Sequence, residues 1–269
     1  MVRGRAENEV LGIAIRGRVR GGAPLARFSS FRIGGPARWL VEPADRADLA
    51  RLLRGLDAQG VEPVLLGLGT NVLLGDREFT RPVIVLGKAF DFFLCRATAR
   101  RAYYRVGAAT VLKKVVTTAV RGGDGGLEWA EGIPGTVGGG LRMNAGAYHG
   151  ELKDVTRELA MLDARGRVRR WTGARIPFRY RALDLPRGWI ITEATFALRP
   201  EGTEAVRGRL DEIRSRRRNS QPLGLPNAGC IFKNPAGDSA GRMIDALGLK
   251  GTRRGGAEIS TVHANFIVN

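Results

Sequence analysis

The sequence predicts an α+β fold in which a mixed-sheet domain is followed by a smaller C-terminal α+β domain. Three observations carry this reading. Helical periodicity gives way to a buried strand that runs into glycines between Asp45 and Gly69. A succession of strands then returns between Glu158 and Leu198, with Arg165-Gly166 as a hairpin turn. Finally, a charged helix, Glu204 to Arg218, separates this region from the rest and marks a boundary between units.

Taken in order, residues 1–24 are rich in Arg and Gly, with one short apolar stretch at Val10 to Ile15, and read as a basic arm, loose or helical and frayed. From Asp45 to Gln59, Leu49, Leu52, Leu53 and Leu56 recur at helical spacing, and Val61 to Leu66 reads as a buried strand. A second strand is expected at Val83 to Leu86. Tyr103 to Val106 forms a third, leading into a helix from Val111 to Val120 that Arg121-Gly-Gly ends. Strands follow at Glu158 to Asp163, Val168 to Trp171 and Trp189 to Leu198. The implied division is 1–24 as the arm, 25–200 as the main region in two parts (about 25–86 and 87–200), and 201–269 as the C-terminal domain.

Composition limits the function classes. A chain of 269 residues, 43% hydrophobic and 26% charged, is globular in balance and large enough for one large or two modest domains. Its 38 glycines lack the period of collagen. No window approaches the ~20 apolar residues of a membrane span, and the start lacks the apolar core of a secretion signal, so a soluble, cytoplasmic protein without membrane partners is expected. Cys95 and Cys230 form no metal spacing, and only His149 and His263 could add imidazoles, so no metal site is expected. The formal charge is +18. Its arginines are spread from Arg3 to Arg254, which fits a compositional background or attraction of anionic small molecules better than a nucleic-acid footprint.

Three segments carry chemistry. In Leu65-Leu-Gly-Leu-Gly-Thr-Asn-Val-Leu-Leu74, Gly67 and Gly69 follow a strand, so consecutive amide N–H groups can converge on a phosphate, with Thr70 and Asn71 adding donors. A tight strand-to-loop turn explains the same residues, and the motif is neither a Walker loop nor GxGxxG, since Val72 stands at the third glycine position. The second segment is Gly132-Ile-Pro-Gly-Thr-Val-Gly-Gly139 with Asn144-Ala-Gly-Ala-Tyr148. Its bare backbone admits a flat or bulky group, or else it is a packed glycine crossover. Two such loops favour a large phosphate-bearing cofactor. The third is Asn227-Ala-Gly-Cys-Ile-Phe-Lys-Asn-Pro235, where Cys230 is either a small core residue or, as a neutral thiol, a proton donor.

Together with Phe31-Arg-Ile-Gly-Gly-Pro-Ala37, Phe178-Arg-Tyr-Arg181, Ala240 to Gly251 and His263-Ala-Asn-Phe-Ile-Val-Asn269, these segments resemble one family from about Arg18 onward. That family is UDP-N-acetylenolpyruvoylglucosamine reductase, in its shorter subtype. The resemblance implies an FAD-binding domain of the vanillyl-alcohol-oxidase (PCMH) type and a cytoplasmic flavoprotein oxidoreductase of peptidoglycan precursor synthesis, serving cell wall biogenesis, cell shape and division. NADPH would be the co-substrate and a UDP sugar the substrate, with a monomer favoured. By position it assigns Gly67, Gly69, Thr70, Asn71, Val72, Ile133, Pro134, Gly135, Val137, Gly138, Gly139, Asn144 and Gly146 to FAD. Tyr180, Lys233 and Asn234 fall to the substrate, Arg181 is the catalytic arginine and Cys230 the proton donor.

The sequence departs from the family pattern in two ways. Arg179 stands where a glycine is usual, and Ala182-Leu183 follow Arg181 where a serine is usual. Family members also continue past HANFIVN to a strand with a catalytic glutamate, so the expectation is a truncated product or a variant with impaired chemistry. A flavin- or UDP-sugar-binding protein and a related flavin oxidase of the same fold are the alternatives.

Overall fold

The computed structural model describes residues 8–222 and 224–269. A four-stranded sheet opens the fold, with Arg18–Arg20 antiparallel to Leu40–Glu42, which is followed in parallel by Val83–Ile84 and Val64–Leu65. Helix α1, Arg46–Ala58, lays Leu49, Leu52, Leu53 and Leu56 over it, all buried with Val41 and Ile84. The Asp45 side chain caps the helix by accepting from the Asp48 amide.

The expected arm is not one over residues 8–24. Glu9–Val10 pairs with Ile13–Ala14 in a hairpin, and Ala23–Pro24 pairs with Pro36–Ala37. Val10 and Ile15 are buried in the core under α1. The attachment is polar as well: the buried Asp48 carboxylate accepts the amides of Arg16, Gly17 and Ala44. Burial works against its ionisation, but these N–H donors prevail and hold it below the usual carboxylate range. Two apolar side chains and one carboxylate outweigh the charged composition that suggested a loose segment. The first seven residues of that expectation lie outside the described residues.

The larger sheet runs in the order Val168–Thr172, Thr156–Leu162, Ile190–Pro200, Ala102–Gly107, Phe93–Ala97, all antiparallel, with Asp124–Gly125 added at the end of Ile190–Pro200. Helices α2 (Leu112–Gly122) and α3 (Val137–Arg142), the single turn α4 (Leu152–Val155) and the long α5 (Thr203–Ser220) contribute to its core. The central residues are Leu112, Val115, Leu141, Phe196, Val206 and Leu210. The charged helix of the sequence is therefore packed on the larger domain through Val206 and Leu210. Beyond it, Asn227–Cys230, Phe266–Val268, Ala257–Ile259 and Arg253–Arg254 form a four-stranded antiparallel sheet beside α6, Ala240–Ala246.

One short segment ties the three parts together. Ser30 donates its amide and its hydroxyl to the Gly69 carbonyl, and its hydroxyl also reaches the Asn227 carbonyl. Asn269 Nδ2 donates to the Phe31 carbonyl at 2.8 Å. Ser30 and Phe31 thus fasten the first glycine loop to the C-terminal sheet.

Candidate active site

The first glycine loop leaves its backbone free. Leu66 is the last residue of the segment whose amide pairs with the sheet, donating to the Ile84 carbonyl at 2.9 Å. From Gly67 to Val72 no amide finds an acceptor among the described residues. Gly69 has φ +62°, and a Cβ there would stand 1.9 Å from the Phe28 carbonyl oxygen, so only glycine fits the turn. Leu68 and Leu73 beside it are exposed.

The second loop faces the first. Thr70 Oγ1 donates to the Pro134 carbonyl at 3.2 Å, and Thr136 Oγ1 accepts the Gly139 amide while capping α3. A Cβ on Gly67, Gly135 or Gly139 would meet only the hydroxyl-bearing side chain of Thr70 or Thr136. Gly138 differs, because its amide is bonded to the Ala108 carbonyl and a Cβ would lie 3.1 Å from Ala108, so it packs against the domain. Val137 is 0% exposed and its amide donates to Thr110, Ile133 packs on the core, Val72 is half-buried, and Pro134 is exposed at the rim.

A bare row of amides, exposed leucines and side-chain-free glycine faces on two adjoining loops fits a dinucleotide whose phosphates need N–H donors and whose rings need apolar surface.

The other wall is built from two hairpin tips. Gly146–Ala147 pairs with Gly150–Glu151 around Tyr148-His149, and Phe178–Arg179 pairs with Ala182–Leu183 around Tyr180-Arg181. Tyr148, His149 and Arg181 all have left-handed backbones, at φ 47°, 66° and 55°. Side chains other than glycine, Asn and Asp rarely hold that conformation unless their surroundings fix them. For Arg181 the partner is Glu151, whose carboxylate lies 3.4 Å from Arg181 Nη1, 2.9 Å from Asn144 Nδ2 and 2.8 Å from Lys153 Nζ. Asn144, itself left-handed and 0% exposed, spends its amide on Glu151 and the Arg179 carbonyl and accepts the Lys153 amide. Gly146 leaves room for Arg181, whose Nη1 would be 2.8 Å from a Cβ there. Neither Asn144 nor Val137 offers side-chain surface to a cofactor; both hold the wall in place.

These tips line a cavity of about 320 Å³ with Tyr148, His149, Glu151, Tyr180, Arg181 and Asn234. A larger hollow of about 470 Å³ between the end of α5 and the C-terminal sheet holds none of the expected site residues. Tyr180 is exposed under the Arg181 guanidinium, 4.9 Å from its ring centre. Asn234 accepts the Ala240 amide at 3.1 Å, and Lys233 is exposed.

Cys230 ends its strand after a register shift at which Gly229 takes φ +75°. Its residue surface is open to solvent, yet protein surrounds the thiol closely enough that burial pushes its pKa up, against the pull of the nearby Arg181 and Arg217 charges. The cations that act on the thiol are these two arginines. Arg181 and Cys230, remote in sequence, thus share one electrostatic environment.

Arg217, Glu151 and Ser30 escape the motif reading. The signal for Arg217 is its position: Val206, Leu210, Ile213 and residue 217 follow helical spacing, so an arginine stands on the apolar stripe of α5. Among the described residues no group of three His, Cys, Asp or Glu side chains could hold a metal, and no helix is long and apolar enough to cross a membrane.

Residues 37–172 match an FAD binding domain, and residues 221–269 match the C-terminal domain of UDP-N-acetylenolpyruvoylglucosamine reductase. The chain is 44% identical over 254 residues to UDP-N-acetylenolpyruvoylglucosamine reductase 2 of Symbiobacterium thermophilum, covering 94% of this chain and 81% of that protein. The crystal structure of the reductase from Thermus caldophilus superposes with a TM-score of 0.84 at 36% identity, over 94% of this chain and 88% of that one. A cholesterol oxidase from B. sterolicum shares part of the fold, with a TM-score of 0.54 at 16% identity over 72% of this chain and 39% of its own.

Proposed function

The chain belongs to the UDP-N-acetylenolpyruvoylglucosamine reductase family, and from that premise we infer an FAD-dependent reductase that uses NADPH to convert UDP-N-acetylglucosamine enolpyruvate to UDP-N-acetylmuramate. The observation that carries the reading is the meeting of Arg181 and the neutral thiol of Cys230 in a chain whose first glycine loop leaves its amides unpaired. When bound, the flavin supplies the redox chemistry, carrying reducing equivalents from NADPH to the methylene carbon of the enolpyruvyl group.

The remaining work falls to the protein. Gly67, Gly69, Thr70 and Asn71 hold the pyrophosphate through backbone N–H groups, and Gly139 gives the rings a bare surface. Arg181 pairs with the substrate carboxylate, which steadies the negative charge that develops on the enolpyruvyl group. Cys230 gives its Sγ proton to the carbon bearing that carboxylate, and a thiol whose pKa burial raises is still protonated to do so. Tyr180, Lys233 and Asn234 contact the UDP sugar. Asn144 and Glu151 act through Arg181 as positioning residues. A cytoplasmic location is the one we assign, since NADPH and the nucleotide sugar are small soluble molecules.

The test is anaerobic reduction of the bound flavin by NADPH followed by its reoxidation with the enolpyruvyl sugar. Yellow protein that NADPH reduces but the sugar cannot reoxidise would make the chain a flavin- or sugar-binding protein. Oxygen consumption with an alcohol substrate would make it an oxidase.

A further inference from the structure

Arg217 is a buried cation without an anion. It is 9% exposed on α5, and its Nε has no hydrogen-bond partner among the described residues. Its only described side-chain hydrogen bond runs from Nη1 to the neutral Gln221 side chain at 3.2 Å. Arg51 has a similarly orphaned Nε, but its other nitrogen rests on the Asp48 carboxylate. The carboxylate whose charge reaches Arg217 is that of Glu131, and Arg214 already occupies it at 3.1 Å. A buried guanidinium in this condition pays desolvation with no return unless an absent anionic group completes it.

Its neighbours say where that group lies. The guanidinium sits 5.6 Å from the Tyr148 ring centre, and its Cδ would lie 2.9 Å from a Cβ on Gly132, the first residue of the GIPG loop. The charge also reaches Cys230. Arg217 therefore stands where the cofactor loop, the first hairpin tip and the proton donor converge. Arg181 reaches the same thiol from a side chain 31% exposed, as suits a ligand that comes and goes. The deeper position suits a group that stays.

We propose that Arg217 is a flavin-facing cation that favours the reduced cofactor, the form that carries more negative charge on its pyrimidine ring. This rests on the flavin reading of the cleft. It gives Arg217 a task distinct from that of Arg181: setting the reduction potential rather than holding the substrate.

The measurement is the two-electron midpoint potential of the holoprotein without NADPH or sugar, for the unaltered protein and for Arg217→Gln and Arg217→Lys. Arg217→Gln is expected to lower the reduced-to-oxidised ratio at fixed potential at least tenfold, about 30 mV for this couple, while Arg217→Lys keeps most of it. Should Arg217→Gln fail to fold, two further readouts decide: a reduced potential in Arg217→Lys at or below one tenth in ratio, or equal melting temperatures of the oxidised and dithionite-reduced unaltered holoprotein, would each overturn the proposal. The expected result is a higher melting temperature for the reduced form, because tighter binding of that form stabilises the fold. An unmoved potential in folded, FAD-loaded Arg217→Gln overturns the proposal, and if UDP-sugar affinity falls in that variant the guanidinium belongs to the substrate. Failure of the unaltered chain to bind FAD at all would overturn the flavin reading together with it.

Discussion

The two walls of the cleft recognise in different ways. The glycine loops at 67–72 and 132–139 offer backbone, with unpaired amides on one and side-chain-free faces on the other. The hairpin tips at 146–151 and 178–183 and the strand end at Cys230 offer side chains, several of them on left-handed backbone, with Arg181 held by Glu151. A backbone wall is damaged by adding atoms, and a side-chain wall by removing them. The first suits a cofactor that stays bound, and the second suits chemistry on ligands that exchange.

The sharpest test of the side-chain wall is Cys230. Cys230→Ala is expected to leave reduction of the flavin by NADPH intact and to slow reduction of the enolpyruvyl sugar by about 10²–10⁴-fold, the usual span for a lost general acid. Cys230→Ser should retain most of that step. The pH dependence separates the two acids. Burial raises the thiol pKa, so the neutral donor persists above the ordinary value near 8.5 and the sugar half-reaction falls only at still higher pH. That alkaline limb should vanish in Cys230→Ser, whose hydroxyl does not titrate there. Stopped-flow profiles that fall near pH 8.5 in the cysteine protein, or that keep the limb in the serine variant, would remove the thiol from the reaction.

Arg181→Ala should come next, at about 10²-fold on the sugar half-reaction with little change in the NADPH one. Equal slowing of both would move Arg181 out of the substrate-facing role and make it part of the Glu151 network alone.

How much of this cleft the sequence discloses depends on which wall is considered. Backbone recognition announces itself, because glycines that must follow a strand or leave a face bare leave a written trace: GLGTN and GIPGTVGG are legible, and so are α1 and α2 from their leucine and valine spacing. Networks of side chains are not legible, because contact between Glu151 and Arg181 depends on two hairpins meeting 30 residues apart in sequence. Val137 and Gly138 sit inside a readable motif yet turn into the domain, since a motif names a segment and not the direction in which each residue points. The N-terminal strands were hidden for a related reason. Their stability comes from Val10, Ile15 and the Asp48 carboxylate, and only Asp48's partners, 31 and 32 residues away, show what that carboxylate is for.

The backbone wall gives a smaller effect with an unusual pair of signs. Gly69→Ala must lose stability by about 3 kcal/mol or more, because left-handed strain adds to a clash with the Phe28 carbonyl. Gly139→Ala should do the opposite. It lies in α3, its Cβ meets nothing nearer than Thr136 Oγ1 at 3.4 Å, and alanine in a helix is worth roughly 0.5–1 kcal/mol over glycine. The added methyl nevertheless stands on the face assigned to the flavin, so the variant should melt higher as apoprotein and hold less FAD. Thermal unfolding with and without added FAD reads both terms; a more stable apoprotein with undiminished FAD content would mean that the flavin does not lie against Gly139.

The smallest expected effect sharpens the comparison most, because it separates strain kept for function from strain merely tolerated. Tyr148 and His149 form a two-residue hairpin turn with both φ angles positive, a geometry that favours Asn-Gly and penalises an imidazole-bearing residue at the second position. His149→Gly removes that penalty without touching the Glu151 network, and should stabilise the fold by about 1 kcal/mol. The imidazole also lines the cavity with Tyr180 and Arg181, so its loss should raise KM for the UDP sugar a few-fold while kcat and flavin reduction by NADPH stay unchanged. A gain in stability with unaltered KM would mean that the turn carries histidine at a cost with no return in binding, and that the exchanging ligand is gripped by Tyr180, Arg181 and Asn234 alone.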